Sequence, residues 1–317
     1  MAGDSDDTVL IAPRRKRPWP AVALAAALLA SCATGAAFLW RSPVPAQDAQ
    51  APSEQVRLAN EATIRSHVAV TLTVFRFAPN PLIVVLDFPG LREQGRMFNR
   101  MAAWVEKSGQ PRDRLLTDAE LDSAIRADGG DPDTYYYGHD YRAADLRRFF
   151  AMAERDKVAL TPEEERLRRL VAQLTADPQG FGALVSIPRA SATGLDDAGR
   201  AAILRHELSH GEYFTSAAYA RAVTTVWDTV LTEAERAAFR AFLGAEGYDT
   251  RIEDLMVNET QAYLLHTPAG PFFDDGQLGI APMRLAAIRG AYLAMIPPSW
   301  LRDTLAAPVA PVGAAAR

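Results

Sequence analysis

The sequence His206-Glu207-Leu208-Ser209-His210 lies within a helix that the hydrophobic pattern predicts over 196–214. Side chains four residues apart lie one above the other on a helix, so the two imidazoles can face one point in space. A catalytic zinc ion takes imidazole nitrogens at about 2.0–2.1 Å, a third protein ligand and a water. Glu207 lies on the neighbouring face, where its carboxylate can reach that water. The spacing therefore predicts a metal site with Glu207 beside it.

The alternative interpretation is a half-exposed helix whose histidines and glutamate are simply solvated. Two apolar stripes argue against it, since Ala202, Ile203 and Phe214 share one face with the histidines, and Leu204 and Leu208 lie on another. A helix this apolar is expected to be largely buried, and buried imidazoles need partners.

The third metal ligand is expected on a second helix, predicted over 252–266. Glu259 lies in the middle of its apolar face, where an unpaired carboxylate would be costly. A metal ion shared with His206 and His210 resolves that cost. An ion pair between Glu259 and an arginine such as Arg205 is the alternative. His266, on the same face, is the second candidate ligand.

These two segments together resemble the gluzincin group of zinc metallopeptidases, which carry HExxH on one helix and a glutamate, often within N-E-x-x-A, on a later one. Here the second motif is Asn258-Glu259-Thr260-Gln261-Ala262, and the resemblance covers about 181–266. Two features depart from the pattern. The gap of 48 residues between His210 and Glu259 is longer than in the aminopeptidase-type relatives, and position 263 is Tyr where thermolysin-like members have Asp.

The resemblance implies a zincin-like metallopeptidase domain over 56–305 that binds one Zn²⁺ per chain and hydrolyses a peptide or protein substrate. Zinc activates a water and polarises the scissile carbonyl, and Glu207 takes the proton of the water and delivers it to the leaving amine. Tyr263 is the first candidate to stabilise the oxyanion, followed by His266 and Tyr213. An extended substrate is expected to pair with the main chain of 183–187, on a strand that we predict at the sheet edge.

The N-terminal region predicts a membrane anchor. Four basic residues at 14–17 precede an uncharged run, and a tryptophan lies at each end of the predicted span 19–40. By the positive-inside bias, 1–18 are cytoplasmic, 41–55 form a linker, and the body lies in the periplasm, outside a bacterial inner membrane. The alternatives are a cleaved signal peptide and a lipoprotein anchored through Cys32 after a lipobox-like Leu29-Ala30-Ser31.

The body reads as an α+β domain, with a small N-terminal sheet among helices and a helical C-terminal half. Strands are predicted at 68–75, 82–88 and 181–188, and the tail 306–317 is expected to be disordered. Three Thr-x-x-Glu strings, beginning at Thr117, Thr161 and Thr232, predict helices that start with capping boxes. The helix that follows Thr232 is predicted over 233–243, and the remaining predicted helices are 91–107, 196–214, 216–230, 252–266 and 282–295.

Composition excludes several classes. The 317 residues are 49% hydrophobic and carry a net charge of −5, without a basic block after the first 20 residues, so neither a disordered chain nor a nucleic-acid-binding protein is expected. The single cysteine excludes an intrachain disulfide. The sequence 135–141, rich in tyrosine, is either a substrate-contacting loop or loop packing. Acidic turns at 128–133 and 274–275 fit no complete calcium loop.

Two functions compete. The first is a membrane-tethered zinc peptidase that acts outside the cytoplasm, and the second is a non-catalytic zincin-like binding or scaffold protein of the cell envelope. The intact HExxH favours the first, because a decayed site has no need of Glu207. An intramembrane protease is excluded because Arg205 and Glu212 flank the motif and no second long apolar run exists. The glycosylation sequon at 258–260 is expected to stay unmodified if Glu259 faces a metal.

Overall fold

The computed structural model describes residues 53–190, 194–270 and 272–306. Among these residues, no helix combines the length and the apolar character that crossing a bilayer requires. The predicted membrane segment 19–40 lies outside the described residues, as do 1–18, Cys32, most of the linker and nearly all of the tail 306–317. Within the described residues the chain forms an α+β fold, as predicted.

A five-stranded mixed sheet forms in the first two thirds of the chain. Its strands are β1 (Val56–Ala59), β2 (Thr73–Phe77), β3 (Ile83–Phe88), β4 (His139–Arg142) and β5 (Ala183–Pro188). The spatial order is β1-β2-β3-β5-β4. Strands β1 and β2 are parallel, β2 and β3 antiparallel, β3 and β5 parallel, and β5 and β4 antiparallel.

Helices cover both faces of the sheet and build the C-terminal half. The described α-helices are α1 (Glu61–Ser66), α2 (Leu91–Val105), α3 (Asp118–Ala127), α4 (Ala143–Asp156), α5 (Pro162–Ala176), α6 (Asp197–Thr215), α7 (Ala217–Thr229), α8 (Glu233–Ala245), α9 (Glu253–Gln261), α10 (Pro282–Met295) and α11 (Trp300–Ala306). All three capping boxes are present at the starts of α3, α5 and α8, where each threonine accepts from the amide of the glutamate three residues on.

Two strand predictions are wrong. Strand β5 is not at the edge of the sheet, because it pairs with β3 on one side and β4 on the other. Pro188 is tolerated there because it is the last residue of the strand, where a missing N–H removes little of the ladder. The predicted strand 68–75 begins only at Thr73, and Val68 and Val70 are 65% and 78% exposed. The pairing ends where Thr73 meets Asp87, because β3 ends one residue later.

Helix α6, which carries the HExxH sequence, packs on the sheet and so holds the motif between two cores. Leu204 and Leu208 of α6 pack against Ile83 and Val85 of β3, on the sheet face opposite α2, α4 and α5. Tyr213, near the other end of α6, belongs to the apolar core of the helical half. The motif therefore lies at the junction of the sheet and the C-terminal helices.

A buried ion pair fixes the first turn of α6 to the sheet. Arg200 is 1% exposed, and its two terminal nitrogens donate to the Asp87 carboxylate at 2.9 and 3.0 Å. The Nδ1 atom of His67 lies 2.7 Å from the same carboxylate. Arg200 also donates to the carbonyls of Ile64 and Pro188. A guanidinium with this many acceptors orients the helix as well as pairing a charge.

Candidate metal centre

The two histidines of the motif converge on one carboxylate. Nε2 of His206 lies 3.7 Å from Oε2 of Glu259, and Nε2 of His210 lies 3.7 Å from Oε1 of the same residue. These contacts are too long for hydrogen bonds. Ligand atoms about 2.05 Å from a tetrahedral zinc ion are about 3.4 Å apart, so the observed separations are close to those of a metal site.

Unpaired buried polar atoms support the same interpretation. Among the described residues, no hydrogen-bond partner is found for either ring nitrogen of His210 or for Oε2 of Glu259. His210 and Glu259 are 0% and 1% exposed. Burial raises the pKa of Glu259 well above its usual range, and nearby Asp140 and Glu106 raise it further. Two imidazoles and a carboxylate form a donor set that suits zinc, and the residues present fit that ion.

Burial also keeps the two imidazoles neutral, which is the form that binds a metal. It lowers the pKa of His210 to about 4 and that of His206 well below its usual value. The ion-pair alternative for Glu259 is not observed, because Arg205 pairs with Glu61 at 2.6 Å.

A threonine fixes the tautomer of His206. The hydroxyl of Thr267 donates to the carbonyl of Ala262, so it accepts a hydrogen bond from Nδ1–H of His206 at 2.8 Å. Nε2 of His206 is then left with its lone pair facing Glu259. The helix predicted over 252–266 places Thr267 there by changing form, because α9 ends at Gln261 and Ala262–His266 form a π-helical turn. Such turns are frequent at functional sites.

Replacing Thr267 with valine is expected to weaken zinc binding about 10–100-fold, because the second hydrogen bond of a metal-binding histidine sets its orientation and basicity. Competition with a chromophoric chelator measures this affinity. Thr267→Ser keeps the hydroxyl and is expected to bind like the unchanged protein. Equal affinity in both variants would contradict the assigned role.

Glu207 lies beside the histidines, as predicted. It is 5% exposed, its Oε2 has no hydrogen-bond partner among the described residues, and it forms a close group with His210 and Asp140. Gly138 lies directly against it, since a Cβ at that position would collide with the Glu207 carboxylate. Burial, together with Asp140 and Glu259, raises the pKa of Glu207 well above its usual range. A carboxyl group with a raised pKa suits proton transfer near neutral pH.

The candidates for oxyanion stabilisation lie in different environments. The ring of Tyr263 packs edge-on against that of His206, with centroids 4.8 Å apart, so it borders the centre. The hydroxyl of Tyr213 instead donates to Asp254 at 2.7 Å. His266 is not part of the metal-ligand group, and its Nε2 lies 3.2 Å from the hydroxyl of Tyr219.

Sequence reasoning missed three residues at the centre. Oδ2 of Asp140, on β4, lies 3.8 Å from Nε2 of His210, and Glu106 lies close to both Asp140 and Glu259. The ammonium group of Lys107 lies over the rings of Tyr136 and Tyr248, at 4.6 and 4.3 Å from their centroids. Each of these residues reaches the site through the fold, far in sequence from HExxH. The last three residues of the sequence 135–141 thus belong to the edge strand β4, and the residues before them form a loop.

The burial of His139 is expected to make the fold more sensitive to acid. It is 4% exposed, and burial, assisted by Lys107, lowers its pKa to about 3. At this residue the unfolded chain therefore binds more protons than the folded chain below about pH 6.5, so the contribution of His139 to stability falls as the pH drops from there toward 3. Each such histidine contributes a slope of up to about 1.4 kcal/mol per pH unit.

We expect His139→Gln to reduce that slope by about one histidine's share, because glutamine does not titrate. Urea unfolding of the zinc-free protein at several pH values between 6.5 and 4.5 measures it. An unchanged slope would show that His139 titrates normally in the folded protein.

The comparisons with known proteins add no relative. Searches against protein-family models, curated protein sequences and solved structures find no significant match to this chain.

Proposed function

We propose that this protein is a zinc-dependent peptidase of the gluzincin type, with His206, His210 and Glu259 as metal ligands and Glu207 as general base. The observation that carries the proposal is that Nε2 of each motif histidine lies 3.7 Å from a different oxygen of the buried Glu259. Among the described residues, the only basic side chains within 4 Å of the Glu259 carboxylate are these two imidazoles, which are neutral. A metal ion satisfies all three side chains at once.

The chemistry follows from the placement of Glu207. His206, His210 and Glu259 would hold the zinc ion, which would supply a Lewis acid to activate a water and polarise the scissile carbonyl. The buried carboxylate of Glu207 accepts the proton of the attacking water and passes it to the leaving amine. Gly138 leaves room for this carboxylate, because any side chain there would displace it. Tyr263 is the proposed donor to the oxyanion.

The substrate is proposed to pair with the outer edge of β4, rather than with β5 as the sequence suggests. The amide of Ala143 donates to the carbonyl of Gly182, so residues 139, 141 and 143 face β5. Asp140 and Arg142 therefore direct their main-chain groups away from the sheet. This edge lies beside His210, because Asp140 is within 3.8 Å of it. An extended peptide added there would bring its own backbone to the metal centre.

The proposed location is the outer side of a bacterial inner membrane, with residues 19–40 as a single span and the body in the periplasm. The basic residues before that segment and its uncharged length support the orientation. Lipidation at Cys32 remains the alternative anchor and would leave the body in the same compartment.

Metal removal tests the proposal. Dialysis against a strong chelator is expected to abolish cleavage of a mixed peptide library, and about one equivalent of zinc per chain is expected to restore it. Magnesium added at the same concentration serves as the control. A protein that binds zinc but cleaves no peptide would support the scaffold function instead. Cleavage that survives complete metal removal would contradict the peptidase mechanism.

A further inference from the structure

A cavity of about 240 Å³ opens beside the metal centre. Phe214 forms part of its wall, and the ring of Phe214 stacks on that of His210, with centroids 6.5 Å apart and planes at 23°. Asp140 also lines the cavity and lies 3.8 Å from Nε2 of His210. A group bound in the cavity would therefore lie next to the proposed zinc ligand His210.

The apolar part of the wall is incompletely covered by the protein itself. Four of its apolar side chains are only half-buried, namely Val105, Phe214, Ile252 and Leu255. They come from the end of α2, the end of α6 and the start of α9. Covering such surface is favourable, because it removes apolar area from water. An apolar cavity of about 150 Å³ is large enough to bind benzene, so this cavity can hold a side chain of the size of leucine or phenylalanine.

The charged side chains of the wall already have partners. Glu106 lies 3.7 Å from the ammonium group of Lys107, and Asp140 faces the metal centre. A charged occupant would lose its hydration and would compete with existing ion pairs for a partner, so the wall favours a neutral occupant. Each arginine of the wall lies within 3.2 Å of a carboxylate, and the pairs are Arg112 with Asp249, Arg142 with Asp254 and Arg148 with Asp145.

The cavity also borders the edge strand with which the substrate is proposed to pair. Asp140, Tyr141 and Arg142 line it, and these are three of the four residues of β4. Successive side chains of an extended peptide point to opposite sides of the strand. A peptide paired with β4 would therefore direct every second side chain to the same side, and the cavity can receive one of them beside the metal centre.

We propose that this cavity is the specificity pocket of the peptidase, and that it takes a bulky, uncharged apolar side chain of the substrate, such as that of leucine or phenylalanine. This inference rests on the peptidase function proposed above. Leu255 is the wall residue that best tests it. The residue lies on α9, four positions before Glu259, and is not one of the groups that converge on the proposed ion.

The test measures binding separately from turnover. The zinc-loaded, full-length Glu207→Gln protein is titrated with fluorescent peptides, and anisotropy gives the dissociation constant. In an otherwise polar peptide, each position in turn carries alanine, leucine, phenylalanine, lysine or glutamate. At one position, leucine or phenylalanine is expected to bind at least about tenfold more tightly than alanine, because one methylene in an apolar pocket is worth about 10–200-fold. Lysine and glutamate are expected to bind no more tightly than alanine there.

Changing the size of the pocket is expected to change this preference. Leu255→Trp narrows the pocket and is expected to weaken binding of the preferred peptide about tenfold, while the alanine peptide stays within about twofold. Leu255→Ala widens it and is expected to favour naphthylalanine over phenylalanine at the same position. Leu293→Ala is the matched control, because Leu293 is a half-buried leucine of the same helical core that does not line the cavity. Its preference is expected to match that of the parent protein.

The preference for a bulky apolar side chain decides the inference. The pocket is wrong if no position favours such a side chain over alanine, if a charged side chain binds as tightly, or if the preference is unchanged in both Leu255 variants. Zinc content is measured on each variant, and a preference lost only together with zinc would likewise overturn the assignment. Failure of the peptidase function itself is a different result, because it appears as absent cleavage by the unchanged, zinc-loaded protein.

Discussion

Replacing Glu207 with glutamine is expected to lower kcat about 10²–10⁴-fold while leaving the zinc content at one ion per chain. The amide has nearly the same shape as the carboxylate, but it cannot accept the proton of the attacking water. Glu207 is not one of the three groups that converge on the proposed ion, so zinc affinity does not depend on it directly. Peptide cleavage under saturating substrate, together with metal analysis, separates the two effects.

Glu233→Gln is a suitable control for this substitution. It makes the same chemical change at the start of α8, where the side chain is 80% exposed and pairs with Arg236. Its activity is expected to match that of the unchanged protein. Full activity in Glu207→Gln would contradict the proposed mechanism, even if zinc were bound as expected.

The second large effect concerns stability. Asp87→Asn is expected to lower the free energy of unfolding by about 3–5 kcal/mol, because it leaves the buried guanidinium of Arg200 without a compensating charge. Asp87 and Arg200 are 0% and 1% exposed, so water cannot replace the lost partner. The pair joins β3 to the first turn of α6, and its loss is therefore expected to loosen the helix that carries the HExxH motif. Urea unfolding measures the change.

An exposed ion pair provides the comparison. Arg126 pairs with Asp122 on α3, with side chains 63% and 49% exposed. Arg126→Gln is expected to cost no more than about 0.5 kcal/mol, as is usual for such pairs. If Asp87→Asn cost no more than Arg126→Gln, the ion pair between β3 and α6 would not be a major source of stability.

The sequence predicted α6, α7, α8, α9 and α10 and the starts of three helices, but not α11. Amphipathic periodicity and capping boxes are local signals, and they are read from residues that lie near one another in the chain. The helix 282–295 was predicted with the bounds that α10 has. The proposed ligands His206, His210 and Glu259 were also chosen from local patterns, and the structure brings their side chains together.

The position of each strand in the sheet was not predictable in the same way. The apolar run 183–188 does not show whether its strand lies at the edge or in the interior of the sheet. Helices bury both faces of this strand, so its residues are apolar in either position. The edge strand β4 has only four residues, and two of them, Asp140 and Arg142, are charged. Its sequence is therefore typical of the tyrosine-rich loop that 135–141 predicts.

The acidic surroundings of the centre were missed for a related reason. Glu106 follows α2 as its C-cap residue and Asp140 lies on β4, and neither carries a motif that links it to HExxH. Only the packing of α2 and β4 beside α9 brings them near Glu259. The position of Thr267 is not predictable from the sequence, because the π-helical turn at Ala262–His266 shifts it away from the position that a continuous α-helix would give it.

Zinc analysis of the purified full-length protein and of two variants tests the central claim most directly. The unchanged protein is expected to hold about one zinc ion per chain, and Glu259→Ala is expected to bind it more than about 100-fold more weakly, since loss of outer partners alone costs 10–100-fold. His266→Ala is expected to retain the ion. Full zinc retention in Glu259→Ala, with loss in His266→Ala, would contradict the ligand set.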